Sequence, residues 1–284
     1  MKRILLPTDF SENAFNAMCY AFELNKHDKC EFFILHTFTP TMISAGNMMD
    51  SYSALTLQKI AQEKAEKQLN TLETQIKRDF SNPNHSYKTI ASFNLLISEM
   101  ERIVAENDID MVIMGTKGAT GAKEVFVGTH TMYAIKHLKV PVVAVPSEFD
   151  FEEPKEILFP TDYKLSQSNK YLSLIRDICS NHTSRLHILN AYYGTPLNED
   201  QEATKSFFDD FFKSTAHLFH IVEDTDVIGA VERFQRRAKV NLIVMIHNKH
   251  SFFENLLFKP VINQIVFHTN VPFLVIPSEE MQNS

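Results

Sequence analysis

The sequence is poor in glycine, cysteine, net basic charge and long apolar runs, and most of these shortages exclude a class of protein. None of the 284 residues lies in an uninterrupted apolar run approaching the roughly 18 to 20 residues of a membrane span. Three cysteines without CxxC spacing argue against both a disulfide framework and a zinc knuckle. Lys and Arg total 28 against 35 Asp and Glu, so the chain has no net positive charge that would favour the binding of nucleic acid. We therefore expect neither a membrane nor a nucleic-acid partner.

The composition is otherwise that of a globular protein, with 44% apolar and 22% charged residues. At roughly 100 to 200 residues per domain, the length predicts two domains. The opening residues turn polar after the short apolar run Ile4 to Leu6, which is too short for the apolar region of a signal peptide. We expect a cytoplasmic protein with reduced thiols.

The chain contains an internal sequence repeat. Ile4 to Asp9 recurs as Ile157 to Asp162, and the segment from Val140 to Glu148 recurs as Val271 to Glu279. The sequence thus predicts domains over residues 1–147 and 155–284, joined by an acidic linker over 148–154.

Short apolar runs alternate with segments of helical period in both copies, which predicts an α/β fold with parallel sheets. We expect each copy to be a doubly wound, five-stranded parallel sheet flanked by helices. The predicted strands are Arg3 to Pro7, Glu31 to Phe38, Ser86 to Ala91, Met111 to Gly115, Val142 to Val145, Glu156 to Phe159, Ser184 to Tyr192, His217 to Val222, Leu242 to His247 and Phe273 to Ile276. Residues 40–54 are interpreted as a loop or lid.

Four of the seven glycines fall between Gly115 and Gly128, although about 20 glycines are usual for this length. They follow a strand-like run and precede a helical segment, the order in which backbone amides bind phosphate. Neither a Walker loop nor a dinucleotide fingerprint fits the spacing.

The spacing GxxG, nine residues, then Gly-Thr is present as Gly115 to Gly118 followed by Gly128-Thr129. With the strand ending in Pro7-Thr8-Asp9 and the closing strand from Pro141 to Pro146, the chain resembles the universal stress protein family. It is similar to the ATP-binding branch in its tandem form. This resemblance implies a Rossmann-like fold of the adenine nucleotide alpha hydrolase type, with antiparallel pairing of the two closing strands.

The resemblance also implies a nucleotide site with ATP as its ligand, ADP or AMP as alternatives, and Mg²⁺ on the phosphates. Its residues divide into a nucleoside end, a phosphate end and two additional positions. They are Pro7, Thr8, Asp9, Thr37 and Met114 for the nucleoside end, Gly115, Gly118, Gly128, Thr129 and the amide of His130 for the phosphates, and Lys117 and Lys123 as additional charges.

Simpler interpretations of these residues stay open at this stage. Asp9 and its counterpart Asp162 are also typical caps of a following helix. Thr129 is another candidate cap. The glycine loop, in turn, could be turn geometry alone.

The second copy lacks the glycine pattern. Ile246, Lys249, Lys259 and Pro260 stand where the first copy has Gly115, Gly118, Gly128 and Thr129. The branched side chain of Ile246 and the missing backbone N–H of Pro260 are both unfavourable for phosphate binding. We expect the second copy not to bind ATP in this mode.

Other clusters in the second copy have structural interpretations. Phe207, Phe208, Phe211 and Phe212 have helical spacing, which favours an apolar helix face against the core, with a pocket or partner groove for an apolar ligand or protein as the alternative. His217 and His220 would face opposite sides of a strand, and with His247 and His250 they make a weak metal pattern. The basic cluster from Arg233 to Lys239 is interpreted as a solvated helix face.

Three functions remain open from the sequence. The first is a stress-response regulatory or sensor module that binds ATP through its first domain and forms a homodimer of tandem chains. We place no catalytic residue, so at most slow ATP hydrolysis or autophosphorylation is expected. The alternatives are a phosphotransferase, and a scaffold that captures an apolar ligand or protein through its second domain.

Overall fold

The computed structural model describes residues 1–39, 51–116, 128–192, 196–223, 227–247 and 270–278. Its first half contains β1 (Lys2–Pro7), α1 (Glu12–Leu24), β2 (Cys30–Thr37), α2 (Ser51–Asp79), β3 (His85–Ser92), α3 (Leu96–Glu106), β4 (Met111–Gly115), α4 (Thr129–His137) and β5 (Val142–Val145). Its second half contains β6 (Glu156–Pro160), α5 (Leu172–His182), β7 (Arg185–Tyr192), α6 (Glu199–Phe211), β8 (Ala216–Glu223), α7 (Val227–Ala238), β9 (Leu242–His247) and β10 (Phe273–Pro277). The α/β class is confirmed, and the ten predicted strands agree with the observed ones to within a residue or two at each end.

The ten strands form one continuous sheet in the order β3-β2-β1-β4-β5-β10-β9-β6-β7-β8. All neighbours within each half are parallel, whereas β5 and β10 pair antiparallel, with Val143 opposite Leu274. The antiparallel pairing of the closing strands is therefore confirmed. Joining them removes two apolar strand edges that would otherwise be open.

A pseudo-twofold axis relates the two halves. Pro7 and Pro160 end equivalent strands 153 residues apart. The halves also contact each other through a 3.0 Å hydrogen bond from Asn181 Nδ2 to Asp28 Oδ2 and through the rings of His27 and His182, which lie 6.4 Å apart. Val143 and Leu274, which are equivalent at the offset of 131, pair with each other and so mark the position of the axis.

The core lies on both faces of the sheet beneath the helices. Ile4, Leu6 and Ile34 face one buried cluster, while Leu5 and Leu35 face the other, all with 0% exposure. This alternation is typical of a parallel sheet covered by helices on both sides. No helix in the described residues is long and apolar enough to cross a membrane.

The expectation of a loop over residues 40–54 is wrong at its end, because residues 51–54 belong to α2. Polar and helix-favouring residues such as Gln58 and Lys59 continue the helical pattern just beyond that point. Residues 40–50 lie outside the described residues.

The four clustered phenylalanines belong to the core. Phe208 and Phe212 have 0% exposure, and Phe207 and Phe211 pack against them from the partly exposed side of α6. This agrees with the predicted apolar helix face. It assigns these side chains no role in ligand capture.

The histidines of β8 contact different partners. His217 Nε2 lies 3.0 Å from Asp209 of α6, whereas His220 bonds His187 of β7 at 2.9 Å and packs on Phe234 of α7. They therefore do not converge on one point. His250 lies outside the described residues, and within the described residues no three His, Cys, Asp or Glu side chains converge as a metal site.

The basic residues of the segment from Arg233 to Lys239 are exposed, as predicted.

Candidate functional site

The nucleoside end and the phosphate end of the predicted site meet at the carboxyl edge of the first half. β1 lies between β2 and β4, with Pro7 opposite Leu35 and Leu5 opposite Val112. The turn after Pro7, the end of β2 at Thr37 and the end of β4 at Gly115 are consequently neighbours. Ligands of open α/β sheets bind at this edge.

A tight turn follows β1. The Thr8 hydroxyl accepts a hydrogen bond from the Phe10 amide at 2.9 Å, and the Asp9 carboxylate accepts one from the Ser11 amide at 3.0 Å. Phe10 adopts a left-handed backbone conformation with φ of 63°. The turn holds Thr8 buried and leaves Asp9 exposed at the edge.

The interpretation of Asp9 as the helix cap is wrong. The N-cap of α1 is Ser11, whose side chain accepts a hydrogen bond from the Ala14 amide at 3.2 Å. Ser11 precedes the first helical residue directly, so it competes better than Asp9 for the free amides of the first turn. Asp9 instead stabilises the turn before the cap.

His36 fixes the position of the turn, a role that the sequence did not indicate. Its Nδ1–H donates to the Thr8 carbonyl at 2.8 Å, and its ring lies 4.4 Å from the Phe10 ring. Since a carbonyl only accepts, this bond places a proton on Nδ1. Thr37 follows directly and lies half-buried at the end of β2.

Glu99 supports the neighbouring edge beyond β3. This residue is only 1% exposed, and its carboxylate accepts hydrogen bonds from Arg102 Nη2 at 2.6 Å and from Asn94 Nδ2 at 3.0 Å. Above all, the hydrogen bond from Arg102 lowers the pKa of Glu99 to about 2. Glu99 is therefore charged at neutral pH and anchors the turn between β3 and α3.

Gly115 lies against the side chain of Asn13 across the site. A Cβ at this position would lie 2.3 Å from Nδ2 and 2.7 Å from Cγ of Asn13, in the first turn of α1. Both distances are well below van der Waals contact. The absence of a side chain at Gly115 lets the Asn13 side chain lie against the end of β4, whereas Met114 is buried on the opposite face of the sheet.

Two hydrogen bonds close the base of the glycine loop. The Gly128 amide donates to the Thr116 carbonyl, and the Thr131 hydroxyl donates to the Gly115 carbonyl at 2.8 Å. Both threonines are buried. They bring the two ends of the loop together, and Lys117 and Gly118 lie on this loop, outside the described residues.

The N-terminus of α4 follows the loop. Gly128 is the N-cap, no side chain of the described residues caps this end, and the first turn holds no acidic residue. Thr129, considered as a cap, is instead the first helical residue, and both Thr129 and His130 are exposed. The first amides of a helix have no partner within the helix, so this end is suited to accept an anion.

Comparisons with known proteins agree with this architecture. A model of the universal stress protein family matches residues 1–146, just over half of the chain. The chain belongs to the universal stress protein family. Universal stress protein MJ0577 of Methanocaldococcus jannaschii is 28% identical over 154 residues, which cover 51% of this chain and 94% of that protein.

Solved structures extend the likeness to the whole of this universal stress protein. A universal stress protein from Archaeoglobus fulgidus superimposes with a TM-score of 0.67 at 17% identity, covering 97% of this chain and 96% of its own. Protein PA1789 of Pseudomonas aeruginosa gives 0.59 at 13% identity, with 100% and 95% covered. At these identities the similarity establishes the fold.

The second half of this universal stress protein repeats the turn but not the glycine. Tyr163, equivalent to Phe10, has φ of 57°, and its amide donates to the Thr161 hydroxyl at 2.9 Å. Ile246 occupies the position of Gly115, and Ser166 that of Asn13. Ser166 precedes α5, whereas Asn13 lies within the first turn of α1.

Ile246 and Ser166 line a cavity of about 480 Å³, together with Ser278 and residues of α6. Lys249, Lys259 and Pro260 lie outside the described residues.

Proposed function

We propose that this universal stress protein is an ATP-binding regulatory module of the stress response, with the nucleotide held by the first half alone. The observation that carries the proposal is the N-terminus of α4, which no side chain of the described residues caps, beside the bare backbone of Gly115. Both features favour close approach of an anion to bare backbone.

The family resemblance supplies the proposed roles. Asp9 and Thr37 contact the nucleoside, with Pro7, Thr8 and Met114 as walls. The phosphates lie against Gly128, Thr129 and the amide of His130 at the start of α4, with Gly115, Lys117 and Gly118 contributing from the end of β4 and the following loop. Bound Mg²⁺ would neutralise phosphate charge while coordinated by phosphate oxygens. ADP and AMP are alternative ligands, which would make fewer of these contacts because they carry fewer phosphates.

Ile246 supports the restriction to the first half. Its side chain lines the equivalent position, so a phosphate has no access to bare backbone there. We also infer domains over 1–147 and 155–284, a linker over 148–154, a homodimer of tandem chains and a cytoplasmic location.

The test is calorimetric titration of ATP and magnesium into the intact chain and two variants of Thr129. Thr129→Pro removes one amide donor, and proline is well accepted at the first position of a helix. Gly128 already has φ of −58° and ψ of 151°, which suits a residue before proline. Thr129→Ala removes the hydroxyl and keeps the amide.

We expect one site per chain in the wild type and a loss of at least about tenfold in affinity with Thr129→Pro. Thr129→Ala should lose less, and adenosine should bind both variants like the wild type. Equal ATP affinity of all three proteins would contradict the phosphate assignment, and two sites per chain would contradict the inactive second half. Turnover of about 1 per second or faster would favour an enzyme over a regulatory module.

A further inference from the structure

Helices α3 and α7 occupy equivalent places in the two halves. Asp108 and Lys239 follow them at the offset of 131, and both have a left-handed backbone conformation, with φ of 47° and 52°. In each half the amide of the next residue donates to a carbonyl in the last turn of the helix, at 3.2 Å and 3.1 Å. The two helices are therefore equivalent in structure as well as in sequence.

These equivalent segments carry opposite charge. Residues 96–110 contain five acidic residues and one basic residue, a net charge of −4, whereas residues 227–241 contain one acidic and four basic residues, a net charge of +3. Two matched positions are reversed in sign, since Glu106 corresponds to Arg237 and Asp108 to Lys239. We term the C-terminal parts of these segments the acidic end of α3 and the basic end of α7.

Both ends present their charges to solvent. Arg236, Arg237 and Lys239 are exposed, and none of them has an ion pair with an acidic side chain in the part of the chain that the structure describes. Exposed Glu101 likewise has no ion pair among the described residues. The side chain of Asp108 is 89% exposed, although it lies 3.2 Å from Arg3 Nη1.

Charges on neighbouring elements reduce both excesses without reversing either. Arg3 and Lys139 lie beside the acidic end, two positive charges against a net charge of −4. The other charged residues that line the cavity at this end balance in number, namely Lys2 with its partner Asp28, and Lys170 with Asp177. Glu152 and Glu156 lie beside the basic end, where Glu156 also pairs with Arg185 at 3.5 Å. The first end therefore stays acidic and the second stays basic.

The pseudo-twofold axis places the two ends symmetrically on one face of the molecule. Equivalent residues face the same buried cluster, as Leu5 and Leu158 do, so the axis runs perpendicular to the sheet. Met100 of α3 and Val231 of α7 face this cluster too, so both helices cover the same side of the sheet. Their charged ends consequently lie at equal distances on opposite sides of the axis.

This arrangement is complementary to itself. A second copy can be turned over onto this face about a twofold axis that lies in the plane of the sheet, perpendicular to the line joining the two ends. That single rotation puts the acidic end of each copy opposite the basic end of the other. Both contacts form at once, which is the property of a closed, isologous interface.

We propose that two copies of the chain associate face to face through α3 and α7, with the acidic end of each against the basic end of the other. The proposal rests on the homodimer inferred under the proposed function and identifies its surface. Tyr133, 49% exposed on α4, adds an aromatic side chain near the centre of this face, because α4 packs against β5 beside the axis. Complementary charges of this kind fix the register of two partners and speed their association.

The test is sedimentation velocity of the intact chain at about 50 mM and about 500 mM salt, since added salt screens exposed charges. The variants are Arg237→Glu, Glu106→Arg and the double variant with both changes. Each new residue is the one that the other half carries at the matched position. Lys64→Glu, an exposed change of the same size on α2 and so on the opposite face, is the control.

We expect the dimer to weaken as the salt concentration rises. Each single variant should weaken it at least about tenfold, because the twofold axis repeats the change at both contacts, whereas the double variant should lie within about threefold of the wild type. Lys64→Glu should leave the dissociation constant unchanged. Circular dichroism confirms that all variants are folded.

Three results would overturn the proposal, and they differ in what else they remove. A chain that stays monomeric at about 100 µM would also remove the inferred homodimer. A dimer that Arg237→Glu leaves unchanged would keep the homodimer and exclude this surface. Weakening by both single variants without rescue in the double variant would show that the two ends do not face each other. None of these results bears on ATP binding by the first half, which calorimetry measures independently.

Discussion

Replacing Gly115 with alanine should destabilise the first half through a single contact. The new Cβ would lie 2.3 Å from Asn13 Nδ2, so the amide group of Asn13 must move away from the end of β4. Adding a methyl group to a filled site costs about 1 to 3 kcal/mol. We expect the lower part of this range, because Asn13 is half-buried and its side chain can rotate.

The second half indicates a second substitution that should compensate for Gly115→Ala. Ser166 and Ile246 line one cavity there, and the shorter side chain of Asn13→Ser should make room for a side chain at Gly115. The double variant should be more stable than the sum of the two single changes by about 1 kcal/mol. The free energy of unfolding is measured in urea by circular dichroism, since the chain has no tryptophan.

The control pairs Asn13→Ser with Phe207→Ala in the second half, and these two changes should be additive. If Gly115→Ala and Asn13→Ser are additive within about 0.3 kcal/mol as well, the contact does not explain the glycine.

Two further variants test the energetics away from Gly115. Glu99→Gln should lower the free energy of unfolding by about 1 to 3 kcal/mol at pH 7, because the pKa of Glu99 is lowered in the fold to about 2. This stabilisation is present above the unfolded pKa and is lost as the pH falls toward 2, so urea titrations should show the difference shrinking below about pH 4, with exposed Glu101→Gln as an inert control. Phe208→Ala should cost about 3 to 5 kcal/mol by opening a cavity against Phe159 and Phe212, and half-buried Phe207→Ala should cost less in the same urea assay.

The repeat made the architecture predictable. Because Ile4 to Asp9 and Ile157 to Asp162 are nearly the same sequence, each predicted strand in one half supports its counterpart in the other. The apolar closing strands required a partner, which led from the family resemblance to the β5–β10 pairing that the structure contains.

The contacts around the site were harder to predict from the sequence. The glycine pattern indicates bare backbone at Gly115, but nothing in it identifies Asn13, about 100 residues earlier, as the group that approaches. Thr131 is typical of a helix start and gives no sign that it bonds the Gly115 carbonyl. Asp9 and Ser11 are both suitable caps, and only the backbone conformation decides between them.

The antiparallel junction has a consequence for proteolysis. A cut within residues 148–154 removes one covalent connection, yet β5 and β10 remain hydrogen-bonded over Val142 to Ala144, and His182 Nε2 still bonds the Leu24 carbonyl at 2.8 Å. The two fragments would then behave as subunits of a heterodimer that elute together until a denaturant is added. The covalent linker thus ensures that the two halves are present in equal number, whereas the continuous sheet holds them together.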